Sequence, residues 1–453
     1  MIHDRSKLSG PARERQSAAR SIAALVLAGI AACGAGEADP GQGSQDAPRV
    51  GASTDSAPPD STVAPPDSTV ALGIDVLLRD SLQLVRGRRV GLITNHTGVS
   101  WPGDSAVSTI DRLAAVPGAE LVALYSPEHG IRGRAEAGEV VASGTDAATE
   151  LPIHSLYGET RRPTPAMLEG VEVLVFDIQD IGSRYYTYVW TMALAMEAAG
   201  EAGIPFVVLD RPNPLGGRLI QGNILDPAYA SFVGLYPVPN RHGLTAGELA
   251  RLLVAEHGVD VELTIVPMDG WSRAMWYDET GLPFIPPSPN MPSLASASHY
   301  PGTCLFEGTN LSVGRGTPLA FQQIGAPWLD ADSIAHTLND GPFPGVRFEA
   351  VTFTPAAPGD GKFDDTPVRG LRFVVTDRET YDPVRTAVGA LLAIRRAHPD
   401  ALTWRVDHFD RLAGTDRLRT LVLQGASLDD ITGPWSSQRS AYVDAVRSVI
   451  LYP

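Results

Sequence analysis

The sequence predicts an α/β protein: a Rossmann-like, mainly parallel sheet domain over residues 72–295, followed by a smaller α+β domain over residues 296–453. Three observations lead there. From Leu72 onward, short apolar runs alternate with amphipathic stretches of helical length, the pattern of parallel strands joined by crossover helices. Past about residue 270, Pro283, Pro286, Pro287, Pro289 and Pro292 accumulate; with φ fixed at each, the chain runs extended and stiff, as a domain connection does. Beyond it, Val346–Phe353 and Leu371–Thr376 read as strands, while Pro383–His398 and the C-terminal end read as helices. A chain of 453 residues is also too long for one hydrophobic core.

The first 32 residues have the order of an export signal. Arg5, Lys7, Arg13, Arg15 and Arg20 precede an apolar stretch from Ile22 to Ala32, too short to span a bilayer as a helix. It ends Ile30-Ala31-Ala32-Cys33-Gly34, which resembles the bacterial lipoprotein box. That resemblance implies cleavage before Cys33, lipidation of Cys33, and an exported protein anchored to a bacterial membrane, periplasmic or cell-surface. Residues 33–71 are dominated by Ala, Gly, Pro, Ser, Asp and Thr and contain a direct repeat, APPDSTV at Ala57–Val63 and again at Ala64–Val70. Such a segment has no face to bury and is expected to be a disordered tether.

In the folded part the expected strands are Arg89–Thr94, Glu120–Tyr125, Glu172–Asp177, Pro205–Asp210 and Val261–Met268. Between them, Asp104 is placed to cap a helix running to about Ala115, and Tyr188–Ala202 forms a second helix. Thr245 and Glu248 make a T-x-x-E capping box for a third, ending near His257-Gly258. An open parallel sheet binds ligands beyond the carboxyl ends of its strands. Here those exits read Asn95-His96-Thr97-Gly98, Ser126-Pro127-Glu128-His129-Gly130, Asp177-Ile178-Gln179-Asp180 and Asp210-Arg211-Pro212-Asn213-Pro214. Each polar residue taken alone is also a plausible cap or turn former, but four such exits on one edge point to a binding cleft.

Composition narrows the function. Lys and Arg number 36 against 52 Asp and Glu, a net charge of -16, and no basic run offers a footprint for nucleic acid. The only cysteines are Cys33 and Cys304, so neither a disulfide framework nor a Cys-rich zinc site is expected. The first strand is not followed by G-x-G-x-x-G, and neither a Walker A motif nor a G-x-S-x-G elbow occurs, so no nucleotide cofactor is expected, nor any other. Two different readings of the polar set remain open. His96, Glu128, His129, Asp177 and Asp180 offer oxygen and nitrogen donors for a metal-dependent hydrolase, although no H-E-x-x-H spacing supports one. A non-catalytic lipoprotein that binds cell-wall sugars would suit the acidic, tethered architecture equally well.

The strings Thr94-Asn95-His96-Thr97-Gly98, Ser126–Gly130, Phe176–Tyr188, Asp210–Pro214, Phe306-Glu307-Gly308-Thr309-Asn310 and Phe409–Asp416 together resemble the exo-β-N-acetylmuramidase (NamZ-like) family. The resemblance runs from about Ile74 to the C-terminus. It implies an active cleft between the two domains and release of N-acetylmuramic acid from the non-reducing end of peptidoglycan fragments. Glycoside hydrolysis needs a carboxylic acid to protonate the leaving oxygen and usually a second carboxylate across the scissile bond. Glu128 is the expected acid, its alternative being a structural ion pair with Arg132 or Arg134. Asp177 and Asp180 lead as the partner, with Glu307 third; the substrate's own acetamido carbonyl is the other possible nucleophile.

A muramic sugar also carries a lactyl carboxylate, for which Arg184, Arg132 and Arg315 are candidates, Arg184 ahead of Arg315. The aromatics Tyr185, Tyr186, Tyr188 and Trp190 read either as a sugar platform or as core. Asn95, His96, Asn213 and Asn310 are expected to orient hydroxyls, with His129 and Asp210 also in the binding set.

Overall fold

The computed structural model describes residues 70–453, apart from Asp104 and Arg134. The export signal, Cys33 and nearly all of the expected tether lie outside the described residues. The tether's last two residues do not hang free. Val70 is buried and donates its N–H to the Thr280 carbonyl, and Ala71 pairs with Asp269 in a β-bridge. These two apolar residues adjoin Leu72, so burying them extends the fold to residue 70.

The chain opens with α1 (Gly73–Asp80) and β1 (Arg89–Thr94), then a small antiparallel pair, β2 (Val99–Ser100) and β3 (Val107–Ser108). α2 (Thr109–Ala114) follows, capped by Ser108, whose hydroxyl accepts from the Asp111 N–H. The expected cap, Asp104, lies outside the described residues, and the helix starts five residues after it. Next come β4 (Glu120–Ser126), β5 (Gly144–Thr145), β6 (Pro152–Ser155) and β7 (Val173–Asp177). α3 (Tyr188–Ala202) and β8 (Phe206–Leu209) precede a second antiparallel pair, β9 (Gln221–Ile224) and β10 (Pro239–Arg241). α4 (Ala246–His257) and β11 (Leu263–Val266) complete this half, α4 with the full Thr245/Glu248 capping box and Gly258 in the left-handed region at its end.

The main sheet has the order β11-β8-β7-β1-β4-β6-β5, and only the edge strand β5 is antiparallel to its neighbour. From β1 the chain winds outward through β4 and β6, then returns to the other side of β1 for β7, β8 and β11. The order therefore reverses at β1, and the crevice beyond the carboxyl ends at that point is where such sheets bind ligands. Alternate residues of each strand serve opposite faces: on β7, Val173 and Val175 join the core under α1 and α2, while Leu174 and Phe176 join the core under α3 and α4.

After α5 (Leu294–Thr303) the chain forms β12 (Gln323–Ala326), α6 (Ala331–Asn339), β13 (Val346–Phe353), β14 (Val368–Val375) and α7 (Pro383–Ala397). The three strands make an antiparallel sheet, β12-β14-β13. α8 (Val406–Ala413), α9 (Arg417–Leu423), α10 (Leu428–Thr432), α11 (Trp435–Gln438) and α12 (Ser440–Val449) follow. The core under α3 continues without interruption into this second half, through Tyr300, Phe306, Phe321 and Phe409. The last residues return to the first half: the Tyr452 hydroxyl donates to Asp210 at 2.6 Å, and Arg273 N–H donates to the Pro453 carbonyl.

Candidate functional site

Glu128 stands two residues beyond the end of β4, at the crevice where the strand order reverses. Its side chain is held from two directions. Oε1 accepts the Gly138 N–H at 3.0 Å, and Oε2 accepts the Thr187 hydroxyl at 2.5 Å. Thr187 occupies the N-cap of α3, yet makes no side-chain cap bond, because its hydroxyl is turned to Glu128 instead. His129 has φ 68°, a left-handed conformation uncommon outside glycine and often found where function fixes the backbone. Its Nδ1 lies 2.6 Å from the Ala135 carbonyl, which assigns a proton to Nδ1.

A pocket enclosing about 390 Å³ of empty space, its open mouth included, has Glu128, His129 and Thr187 in its wall. Ser288, Asn290 and Met291 of the proline-rich connection add to the wall, and Tyr300, Arg315 and Phe321 come from beyond it. Aromatic rings run through it edge to face: Tyr186 to Tyr188 at 4.9 Å, Tyr186 to Tyr300 at 5.9 Å and Tyr300 to Phe321 at 4.7 Å. Burial pushes the phenols of Tyr186, Tyr188 and Tyr300 above their ordinary range, so all three remain neutral. The Tyr186 hydroxyl is buried with no hydrogen-bond partner, an acceptor and donor for a ligand.

Arg315 carries the pocket's positive charge. Its guanidinium lies over Phe321 at 5.3 Å and donates through Nε to Glu307 at 2.6 Å. Burial pushes the Glu307 carboxyl up, but the adjacent Arg315 outweighs burial and holds it below the usual range. Glu307 is therefore an ionised anchor for Arg315.

The other expected residues divide sharply. Asp177 is fully buried: Arg211 grips it at 2.5 Å and 3.0 Å, and the Thr109 hydroxyl takes the same carboxylate, which leaves it no oxygen for a substrate. Asp180 lies behind the wall, close enough to Tyr186 for its charge to act on that phenol; its Oδ2 accepts from Gly182 N–H at 2.7 Å and faces His242 Nε2 at 3.5 Å. Asp180 Oδ1 is buried without a partner. Arg184 overturns the expected ranking of the arginines. It is 0% exposed and donates to four backbone carbonyls, those of Asn223, Val238, Leu412 and Ala413, so no carboxylate reaches it.

Arg132 pairs with Asp146 at 2.7 Å, and not with Glu128. Asp210 is a structural carboxylate: burial pushes it up to about 6, against hydrogen bonds from Tyr452, Gly247 and Thr245. Asn213 shapes a turn by donating to the Leu244 carbonyl and accepting from Leu215 N–H. Asn310 does the same with Ala401 and Thr403 in the second half. Trp190 is core, its indole N–H given to the Arg184 carbonyl. The Tyr185 ring lines the pocket while its hydroxyl donates to the Pro301 carbonyl at 3.2 Å.

His96 bonds the Pro286 carbonyl at 2.8 Å and so pins the connection over the site; burial keeps its pKa low and its ring neutral. Gly133 packs so tightly on it that a Cβ there would lie 2.1 Å from His96 Nδ1. Asn95 uses its side-chain oxygen on Thr97 and leaves its amide nitrogen buried and unpartnered beside Tyr188. The five donors weighed for a metal are not brought together, and among the described residues no group of three such side chains is placed to hold an ion.

Sequence reasoning missed Thr187, Ser288, Asn290, Tyr300 and Phe321 as lining residues, and Tyr157 as a neighbour of Glu128. Tyr157 follows β6, whose short run Pro152-Ile153-His154-Ser155 carries a weak strand signal. Thr187 closes the loop that leaves β7, Ser288 and Asn290 lie in the proline-rich connection, and Tyr300 and Phe321 come from beyond it, so only the fold brings them together.

Two family models match the chain: the N-terminal domain of exo-beta-N-acetylmuramidase NamZ over residues 90–295, and its C-terminal domain over residues 298–452. A peptidoglycan beta-N-acetylmuramidase NamZ from Bacillus subtilis (strain 168) is 46% identical over 381 residues, 84% of this chain and 91% of that protein. Two crystal structures of DUF1343 family proteins from Bacteroides fragilis NCTC 9343 are similar. One has a TM-score of 0.79 at 37% identity, covering 86% of this chain and 100% of the other. The second has a TM-score of 0.68 at 30% identity, covering 85% and 99%.

Proposed function

The chain belongs to the exo-β-N-acetylmuramidase NamZ family, and from that premise we propose that the Glu128 pocket is the cleft in which it releases N-acetylmuramic acid from the non-reducing end of peptidoglycan fragments. One observation carries the assignment: of the three carboxylates expected near the scissile bond in the first half, only Glu128 lines the pocket. Its proton passes to the glycosidic oxygen as the bond from the anomeric carbon to that oxygen breaks and the electron pair leaves with the departing sugar; the anomeric carbon takes its new bond to a water oxygen, directly or after the acetamido oxygen, and the proton that water gives up restores the acid. Thr187 and the Gly138 N–H fix the carboxyl for that transfer.

Arg315 is the partner for the lactyl carboxylate. Its Nε is engaged by Glu307, which leaves the terminal amino groups as donors toward the pocket. The aromatic run from Tyr188 to Phe321 provides faces for the sugar ring. The partnerless Tyr186 hydroxyl and Asn95 amide are hydrogen-bonding groups for its hydroxyl and acetamido substituents. Asp180, behind Tyr186, is the remaining first-half carboxylate able to orient the acetamido group or a water. Export and lipid anchoring through Cys33 complete the proposal and would set the enzyme at a bacterial membrane, facing its substrate.

The test is Glu128→Gln. Turnover of a muramyl disaccharide is expected to fall by roughly 10²- to 10⁴-fold while sugar binding persists. Wild-type protein is expected to cleave a chromogenic β-muramide but not the corresponding β-glucosaminide, which lacks the lactyl group. Undiminished turnover by the variant would remove Glu128 from the mechanism, and equal rates on the two glycosides would remove Arg315 from recognition.

A further inference from the structure

We propose that Tyr157, Arg161 and Phe232 form a second sugar subsite, outside the pocket, that holds the uncharged 2-acetamido pyranose leaving from Glu128. The proposal rests on the reading of Glu128 as the acid. The sheet itself places these residues. β6 pairs with β4 in parallel with Ser155 opposite Ser126, so the loops leaving the two strands emerge side by side. Glu128 lies two residues past the end of one strand and Tyr157 two past the end of the other. The Tyr157 phenol is raised first by burial and next by the negative charge of Glu128, in keeping with the neighbouring strand exits that carry the two residues.

Arg161 is seated against two rings, 4.5 Å from the centroid of Phe232 and 5.2 Å from that of Tyr157, the rings themselves lying 5.8 Å apart. It is half-buried and forms no ion pair among the described residues, although the chain carries an excess of carboxylates. An arginine spent on structure is expected to look like Arg184 or Arg211, with its donors consumed by carbonyls or a carboxylate. Arg161 instead has its plane set against the two rings and its charge on the Tyr157 phenol, and among the described residues no carbonyl or carboxylate takes its donors. Hydroxyl and acetamido oxygens of a pyranose are acceptors for those donors, and the ring edges offer apolar contact to its C–H face. None of the three residues lines the pocket, so the pair of subsites brackets Glu128, which is where a glycosidic oxygen must lie to receive its proton.

The experiment uses Glu128→Gln protein, so that ligands are not consumed, and titrates N-acetylmuramic acid and the muramyl–N-acetylglucosamine disaccharide by calorimetry. The disaccharide is expected to bind at least about tenfold tighter, and adding Arg161→Ala is expected to abolish that gain while leaving the affinity for the monosaccharide as it was. Arg161→Lys keeps the charge without the plane and is expected to lose most of the gain. Unchanged melting temperatures in both variants confirm that the fold is intact. Equal affinities for the two sugars, or a gain that survives Arg161→Ala, overturn the subsite and leave the Glu128 pocket standing. Failure of both sugars to bind overturns the pocket reading itself, and the subsite with it.

Discussion

The Thr187 hydroxyl donates to Glu128 Oε2 at 2.5 Å, joining the first turn of α3 to the exit of β4 across the point where the strand order reverses. A helix cap has been given up for this bond. Thr187→Val removes the donor at nearly constant volume and is expected to lower kcat about tenfold, with little change in KM and an altered pH profile, because the carboxyl is no longer fixed. Thr187→Ser is expected to restore most of the rate. Steady-state kinetics across pH check both; a KM effect alone would contradict the positioning role.

Arg184 is consumed by backbone carbonyls, whereas Arg315 lines the pocket and is the arginine proposed for the lactyl carboxylate. Arg315→Lys is expected to reduce the preference for muramide over glucosaminide by about 10- to 100-fold at little cost in stability, since the planar fork is lost and the charge that faces Glu307 is kept. Arg184→Met is expected to destabilise the protein by about 3 kcal/mol or more, because four buried carbonyls lose their donor. Denaturant unfolding and paired substrate kinetics check the contrast. It fails if Arg184→Met folds normally and loses only muramide selectivity.

Asp177→Ala leaves Arg211 buried without its carboxylate and is expected to cost about 3–5 kcal/mol. Urea unfolding measures this. A variant of native stability that has lost activity would return Asp177 to the catalytic set.

His299 is buried with Nδ1 2.8 Å from the Tyr381 hydroxyl and Phe373 beside it, and burial pushes its pKa down to about 3. The ring is neutral in the folded state, whereas an unfolded histidine takes up a proton below about 6.5. Its contribution to stability is therefore fully present above pH 6.5 and declines as pH falls toward 3, by up to about 1.4 kcal/mol per pH unit. His299→Gln keeps a partner for Tyr381 without titrating and is expected to flatten the loss of stability between pH 6.5 and pH 4. An unchanged slope, from melting curves at several pH values, would place the acid sensitivity elsewhere.

The strands were legible where apolar runs are continuous, as in Val173–Phe176, because both faces of a parallel sheet are covered and the signal is strong. β6 was not, since four residues one strand in from the sheet's edge, beginning with Pro152, bury little. Of the residues expected at the strand exits, Glu128 and His129 line the pocket. The exits did not distinguish a carboxylate facing the pocket from one sealed beneath it. Asp177 ends a strand and Asp210 follows one, as Glu128 does, and only Arg211 in one case and Tyr452, more than two hundred residues away, in the other reveal that they are structural. That Arg315 lines the pocket while Arg184 does not was equally hidden, because its contacts with Glu307 and Phe321 form only when the second half folds.

The four carbonyls gathered by Arg184 come from β9, from the residue before β10 and from the end of α8, so a single buried side chain rivets the two halves of the molecule together. Any parting of the two halves would have to break these bonds at one buried guanidinium together.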